Sequence, residues 1–446
     1  MDLSQVQEET SVLINSIEDG FTPVHPVKGL TVITAAIFVV GEMAGSGVLA
    51  LPKAVLDAGW VGLVMILLCA VMSAYTGATL GRCWIILQDR FEKYREQTRY
   101  PYPAIGYEAF GNVGRLLVSF CVNASLFGAA IVYLLIASEN IESILKGFNW
   151  HVSFCVLLPF IALFLWPITW LGTPKDFWLV GFIAMAATAT ACFCMFIQML
   201  IDKGDHHKPD YPPSDFGRFF LSFGVIMFAF SGHPAFPTFQ HDMKEPKKFS
   251  KSVIIGYSIL FCIYFPVSAA GYFVYGDENE DNILNVISDS WLRTIALILV
   301  TVHLVMGFII VINPFSQEIE DLLHIDKKFN WKRVINRTVV VATILFVAES
   351  IPQFGVILGL VGGSTVTLLT FVFPSLFYLK LCSAESPDGS YCKIALPLHQ
   401  RVFHFEIILV GVIGIVSSTY SAIDAIVTGQ SSFTVPCYVN QTAAHG

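Results

Sequence analysis

The chain has 446 residues, of which 55% are hydrophobic and only 13% charged, and its mean hydropathy is +0.66. A water-soluble protein of this length is rarely so apolar, so the composition excludes an ordinary soluble enzyme and predicts a membrane protein. The net charge of −8 gives no indication of a nucleic-acid partner. The 10 cysteines show the spacing of neither a metal site nor a disulfide framework, so we expect no metal, no cofactor and an exposed Cys437.

The first 28 residues are polar and acidic. They lack the basic start, apolar run and cleavage site of a signal peptide, so the N-terminus is expected to stay in the cytosol. Glu9, followed by Leu13 and Ile14, resembles the acidic dileucine signal that endosomal sorting adaptors bind. Two locations remain open, an endolysosomal or vesicular membrane and the plasma membrane.

Eleven stretches after this tail are apolar enough to cross a hydrocarbon layer of ~30 Å, which takes about 20 residues. An all-α polytopic membrane protein is therefore predicted, with a transporter domain over 29–429 and a C-terminal tail over 430–446. The predicted spans lie near 30–56, 60–87, 113–142, 152–171, 176–201, 217–240, 252–275, 291–313, 335–351, 354–381 and 402–429.

Eleven spans from a cytosolic start place most Lys and Arg residues in cytosolic loops, as the positive-inside rule requires. The C-terminal tail then faces the exterior or a lumen. Asn440, followed by Gln441 and Thr442, is an N-glycosylation sequon on that side. The protein is therefore expected to be glycosylated at Asn440.

Two spans are interrupted by glycine and proline, the first by GEMAGSGVLALP at 41–52 and the sixth by FAFSGHPAFP at 228–237. Irregular backbone at membrane depth is tolerated only where it is buried in protein or lines a cavity, and paired breaks are typical of secondary transporters with inverted repeats. The alternative is that the glycines only permit tight helix packing. The predicted substrate-binding residues are Gly41, Glu42, Met43, Gly45, Ser46, Gly47, Phe230, Ser231, Gly232 and His233.

Three motifs carry a resemblance to a known family: GSGVLALPKAVLDAGWVGL at 45–63, FAFSGHPAFPTFQHDMKEPKKF at 228–249 and NPF at 313–315. Together they resemble the amino acid/auxin permease family, nearest to its vacuolar, vesicular and proton-coupled amino acid transporters. The resemblance implies a LeuT-like fold, in which spans 1–5 and 6–10 form a 5+5 inverted repeat, spans 1 and 6 are broken, and an eleventh helix is added. It also implies that the protein is not an enzyme but transports amino acids, often with protons and less often with sodium.

The breaks suit an α-amino acid. The second half of span 1 begins near Gly45, and its free N–H groups can bind a carboxylate without a fixed cation. The first half of span 6 ends around Phe230, Ser231 and Gly232, where carbonyl oxygens can accept hydrogen bonds from a substrate ammonium.

Glu42 is the strongest candidate for coupling. An ionisable side chain inside a span is costly, and both desolvation and a neighbouring substrate carboxylate favour its protonated form. Proton and substrate binding would then be linked reciprocally. The alternatives are that Glu42 caps backbone N–H groups or forms a structural ion pair with Lys53.

His233 and His303 are two further intramembrane candidates for ion coupling. Either could also be a hydrogen-bonded core residue. Sodium-coupled relatives build a span-8 site from hydroxyl and carbonyl oxygens, and Thr301 is the candidate here. Few hydroxyls stand in that helix, which favours protons over sodium. Tyr133 lies where relatives place an aromatic substrate contact, although a single aromatic residue can equally serve packing.

The predicted partners are an amino acid, protons or sodium, the lipid bilayer and sorting adaptors. Two other functions remain open, an amino-acid sensor without net transport and a membrane-embedded acyltransferase that uses His303 as its base.

Overall fold

A computed structural model describes residues 29–96, 98–170, 177–203, 209–326, 329–385, 391–428 and 436–439. The regular structure in these residues is helical, apart from one isolated bridge between Leu30 and Met243. The predicted sorting signal of Glu9, Leu13 and Ile14 and the sequon at Asn440 lie outside the described residues.

The helices follow one another with short connections. The first six are α1 (Val32–Met43), α2 (Gly47–Ala58), α3 (Val61–Arg90), α4 (Pro101–Gly147), α5 (Phe154–Thr169) and α6 (Phe177–Asp202). Next come α7 (Phe216–Ala229), α8 (Phe236–His241), α9 (Phe249–Tyr275), α10 (Ile283–Val286) and α11 (Trp291–Leu322). The chain continues with α12 (Trp331–Ser350), α13 (Phe354–Val361), two π-helical turns (Gly362–Val366 and Leu368–Val372), α14 (Phe373–Ser383) and α15 (Leu398–Thr428).

The protein is a multi-pass helical membrane protein. By length and hydropathy, 7 continuous helical stretches of the described residues can cross a membrane, or 8 if the bent pair α1 and α2 forms one span. Helices α5 and α7 are apolar but shorter. The eleven spans therefore stay a prediction, although each predicted segment overlaps a helix.

Helix α4 begins earlier than predicted. Its first turns, from Pro101, precede a kink at Phe110 and Gly111, where Gly111 has φ +65. The predicted third span begins only at 113, so these first turns, which contain Tyr107 and Glu108, lie outside it. Glycine adopts this left-handed conformation readily, so the chain can turn at Gly111. The first turns of α4 therefore point in a different direction from the apolar part of the helix.

The cysteine prediction was wrong at two positions. Cys155, at the start of α5, and Cys437 form a disulfide across 282 residues, and Cys437 is buried rather than exposed. The backbone N–H of Cys437 also donates to the carbonyl of Glu349 at the end of α12, at 2.9 Å. The side of the membrane on which this disulfide lies is called the disulfide side below.

A buried ion-pair network joins three helices on the opposite side. The Arg337 side chain is 1% exposed and donates to Glu320 at 2.7 Å, to Asn313 at 3.0 Å and to the carbonyl of Thr169. A buried arginine is stable when its donors are matched in this way. The NPF motif thus supplies Asn313 as an acceptor that ties α11 to α12 and the end of α5.

Candidate functional site

The first break separates two helices that point in different directions. Helix α1 ends at Met43, α2 begins at Gly47, and the two axes differ by 63°. The first N–H groups of α2 have no acceptor within their own helix, because no preceding turn exists. The predicted break in span 1 is therefore present, and it presents the positive end of α2 at its centre.

The second break lies between Ala229, the last residue of α7, and Phe236, the first of α8. Inside it, the Ser231 hydroxyl donates to the Phe228 carbonyl at 2.6 Å. His233 is fully buried, with Nε2 3.1 Å from the Thr76 hydroxyl of α3. The break in span 6 is thus present too, and His233 joins it to α3.

The two breaks lie against each other. A Cβ atom added at Gly47 would stand 2.7 Å from Cα of Ala229, so these helix ends approach to backbone contact. One added at Gly232 would stand 2.8 Å from the Met43 side chain. Gly47 and Gly232 therefore have the packing role considered from sequence, in addition to any binding role.

Gly45 faces two polar side chains from other helices. A Cβ atom there would stand 3.2 Å from the Tyr133 hydroxyl of α4 and 3.3 Å from Nε2 of His303 of α11. The Tyr133 ring lies on Gly307, where a Cβ atom would come within 2.8 Å of it. The structure thus brings Gly45, Tyr133 and His303 together.

The tautomer of His303 follows from its other nitrogen. Nδ1 lies 3.1 Å from the Ala184 carbonyl and 3.1 Å from the Thr188 hydroxyl, both on α6. A carbonyl can only accept, so Nδ1 carries the proton and Nε2 of a neutral His303 is an acceptor. That acceptor points at the break. Three residues around Tyr133 and His303 were not predicted: Ala184, Thr188 and Gly307. A backbone carbonyl, as at Ala184, or a packing glycine, as at Gly307, leaves no recognisable pattern in sequence.

Glu42 is exposed, although Met43 to Gly47 beside it are buried. It stands near the end of α1, three residues before Gly45. The predicted alternative of an ion pair with Lys53 was wrong, because Lys53 pairs with Asp57 at 3.1 Å. Thr301 is buried and donates to the Leu297 carbonyl of its own helix at 2.6 Å.

Two tyrosines of α9 also reach the breaks and were not predicted. The Tyr264 hydroxyl donates to the Met43 carbonyl at 2.7 Å, and the Tyr257 hydroxyl donates to the Phe230 carbonyl at 3.0 Å. Among the described residues, no group of three or more His, Cys, Asp or Glu side chains could hold a metal ion.

The sequence matches a family profile described as "Transmembrane amino acid transporter protein" over residues 28–423. The chain belongs to this family. It is a family of transporters and not of enzymes, which excludes the acyltransferase. Among similar members, the amino acid transporter AVT1D of Arabidopsis thaliana is 26% identical over 85% of this chain and 67% of its own. AVT1J of the same plant is 24% identical over 94% of this chain and 95% of its own.

The fold resembles that of a solved transporter. A mutant of the Eremococcus coleocola manganese transporter superposes with a TM-score of 0.57 and 11% identity, and the match covers 92% of both chains. At this identity the likeness concerns the fold alone. It agrees with the transporter fold expected for an amino acid transporter family member.

Proposed function

We propose that this family member is a secondary active transporter that moves α-amino acids together with protons by alternating access. The observation that carries the proposal is the contact between two opposite helix ends, the positive end of α2 at Gly47 and the negative end of α7 at Ala229. An α-amino acid carries one charge for each end. Its carboxylate would bind the free N–H groups of α2, and its ammonium would bind carbonyls beyond Ala229.

The proposal includes eleven spans in a LeuT-like 5+5 inverted repeat, with α15 as the added helix. Its support is the position of the breaks. Helices α1 and α2 would form the first span and α7 and α8 the sixth, so corresponding elements of the two repeats are interrupted. In this arrangement the site stands at the interface of the repeats.

Glu42 is the proposed proton carrier, with His303 and His233 as further candidates. A carboxylate beside the buried break would hold its proton more tightly when a substrate carboxylate is bound there. His303 would present Nε2 to the substrate near Gly45. Thr301 stays the candidate for the sodium alternative, because a hydroxyl that donates its proton within its own helix keeps its oxygen lone pairs for a cation.

The disulfide supports the predicted orientation. Disulfides persist in extracellular and lumenal compartments and are rare in the cytosol. The disulfide side would therefore be extracytosolic, with the C-terminus and Asn440 on it and the N-terminal tail opposite. The membrane is proposed to be endolysosomal, vesicular or plasma, and the pattern at Glu9, Leu13 and Ile14 would be read by sorting adaptors.

Uptake into proteoliposomes tests the function. A panel of labelled amino acids is offered under an imposed pH gradient, under a sodium gradient, and under neither. We expect uptake driven by the pH gradient in wild type, and its loss in Gly45→Leu, whose side chain would fill the space beside Tyr133 and His303.

Gly147→Leu is the matched control, since a side chain there would meet nothing within 4 Å, and its uptake should equal that of wild type. Uptake driven only by sodium would refute proton coupling. Binding of an amino acid without any flux would identify a sensor instead of a carrier.

A further inference from the structure

Helix α9 carries two tyrosines, and each of them hydrogen-bonds to one of the two breaks. Tyr257 and Tyr264 are seven residues apart, which is close to two helical turns, so they lie on one face. Both are buried, and the Phe230 ring packs against both, with centroids 6.3 Å from Tyr257 and 5.9 Å from Tyr264. Each hydroxyl donates to the carbonyl of the residue at one helix end, Phe230 or Met43.

The sequence explains why the Phe230 carbonyl needs an outside donor. In a continuous helix the N–H of residue 234 would donate to it, but that residue is Pro234 and has no N–H. At the other break, α1 ends at Met43 and the chain turns away. A buried carbonyl without a donor is unfavourable, and a tyrosine hydroxyl on a rigid ring can satisfy it from a neighbouring helix.

The two carbonyls differ in how many lone pairs of the oxygen accept a hydrogen bond. A carbonyl oxygen has two lone pairs. Met43 accepts from Tyr264 at 2.7 Å and from the N–H of Gly45 at 2.8 Å, so both of its lone pairs are used. Phe230 accepts from Tyr257 at 3.0 Å, and the described residues supply no second hydrogen bond to it. One lone pair of the Phe230 carbonyl therefore accepts no hydrogen bond from these residues.

We propose that Tyr257 and Tyr264 are positioning residues with different tasks. Tyr257 orients the Phe230 carbonyl so that its second lone pair accepts from the substrate ammonium. Tyr264 closes the end of α1 through the Met43 carbonyl, which has no lone pair left for the substrate ammonium. This inference rests on the proposed function of the two breaks.

The test compares Tyr257→Phe and Tyr264→Phe, which keep the rings and remove the hydroxyls. Tyr272→Phe is the control, since Tyr272 lies on the same helix, is buried, and packs on Tyr211 with centroids 4.8 Å apart. One hydrogen bond affects binding by about three- to tenfold. Tyr257→Phe should raise KM by about that factor with little change in the maximal rate, and by more than Tyr264→Phe does, whereas Tyr272→Phe should stay within about twofold of the wild-type KM.

Amide hydrogen exchange supplies a readout that needs no transport. Tyr264→Phe should speed exchange in peptides covering 41–48 and leave 228–236 unchanged, Tyr257→Phe should do the reverse, and Tyr272→Phe should change neither. Unchanged exchange at both breaks in both variants would overturn the positioning roles. An equal rise of KM in both variants would overturn the difference between them. Failure of the wild type to transport would refute the proposed function, while the exchange result would still decide whether the tyrosines hold the breaks.

Discussion

Glu42, Gly45, Tyr133 and His303 were all expected from sequence, and the structure brings the last three into contact distance around the first break. An ionisable or aromatic residue inside an apolar span stands out against its surroundings. Tyr257 and Tyr264 do not stand out, because tyrosine is common in apolar helices and their partners are backbone carbonyls. Sequence therefore predicts which side chains are unusual, but not which ordinary side chains complete the hydrogen bonding of a broken helix.

The first prediction concerns Glu42. Glu42→Gln mimics the protonated carboxyl, so substrate exchange should persist while its dependence on pH flattens and accumulation against a gradient falls to a ratio of about one. The protein should fold normally, because Lys53 has Asp57 as its partner and does not depend on Glu42. Exchange and pH-driven uptake are measured side by side in proteoliposomes. Full proton-driven accumulation by the variant would exclude Glu42 as carrier.

A second prediction separates His303 from Glu42. If His303 only lines the site, His303→Gln should raise KM by about three- to tenfold through one lost hydrogen bond, with the pH dependence of uptake retained. Uptake is measured across a series of external pH values in both variants. Thr188→Val, which removes a hydroxyl next to Nδ1 but keeps the Ala184 carbonyl, is the matched control. A pH profile that flattens in His303→Gln and not in Glu42→Gln would transfer the coupling role to His303.

At the scale of elements, the helix bounds follow the apolar pattern closely, since predicted 291–313 and 354–381 correspond to helices that begin at Trp291 and Phe354. The observed bounds differ from the predicted ones where tertiary contacts determine the end of a helix. Helix α11 continues to Leu322 because Asn313 and Glu320 find Arg337 as their partner, and such pairing has no signal in local hydropathy.

The two glycines of the first break should respond differently to substitution. In Gly47→Leu the new side chain meets the backbone of Ala229, which cannot move aside, so α2 and α7 must separate. Overpacking of this kind costs about 1–3 kcal/mol or more. In Gly45→Leu the contacts are milder, because the nearest atoms are side-chain atoms of Tyr133 and His303, at 3.2 and 3.3 Å from the new Cβ. We expect Gly47→Leu to lose folded protein in size-exclusion profiles and Gly45→Leu to remain folded but inactive. Equal yields of both folded proteins would contradict this difference.

At the scale of the whole molecule, the disulfide joins two distant segments of the chain, and composition could not predict this bond. Cys155 and Cys437 are far apart in sequence, and only the folded arrangement of α5 and the C-terminal segment shows that they meet. Thiol labelling tests both the bond and the orientation. An impermeant reagent applied from the extracytosolic side should label two additional thiols after reduction in wild type and none in Cys155→Ser, whose Cys437 thiol is free before reduction. Labelling of the pair from the cytosolic side would contradict the proposed orientation.

The pH dependence of stability should have a contribution from Asp281, in the loop after α9. Burial, followed by the charge of Asp57, raises its pKa from 3.8 to about 6. The folded state thus holds its proton more tightly than the unfolded state, so this residue's contribution to stability falls as pH rises from about 4 to about 6 and stays low above it. Asp281→Asn should therefore raise the Tm relative to wild type at pH 7.5, and by much less at pH 4. A Tm difference independent of pH would contradict this.

The disulfide also sets an order of events during biosynthesis. Its second half-cystine follows the first by 282 residues and comes after α15, so the covalent bond can form only after the described helices have been synthesised. Until then Cys155 stays a free thiol, and in the proposed orientation it faces an oxidising compartment, where thiol–disulfide exchange can join it to another protein. Proteins truncated before Cys437 would leave Cys155 without its intramolecular partner, and they should be found as mixed disulfides or retained by quality control even though every described helix is present.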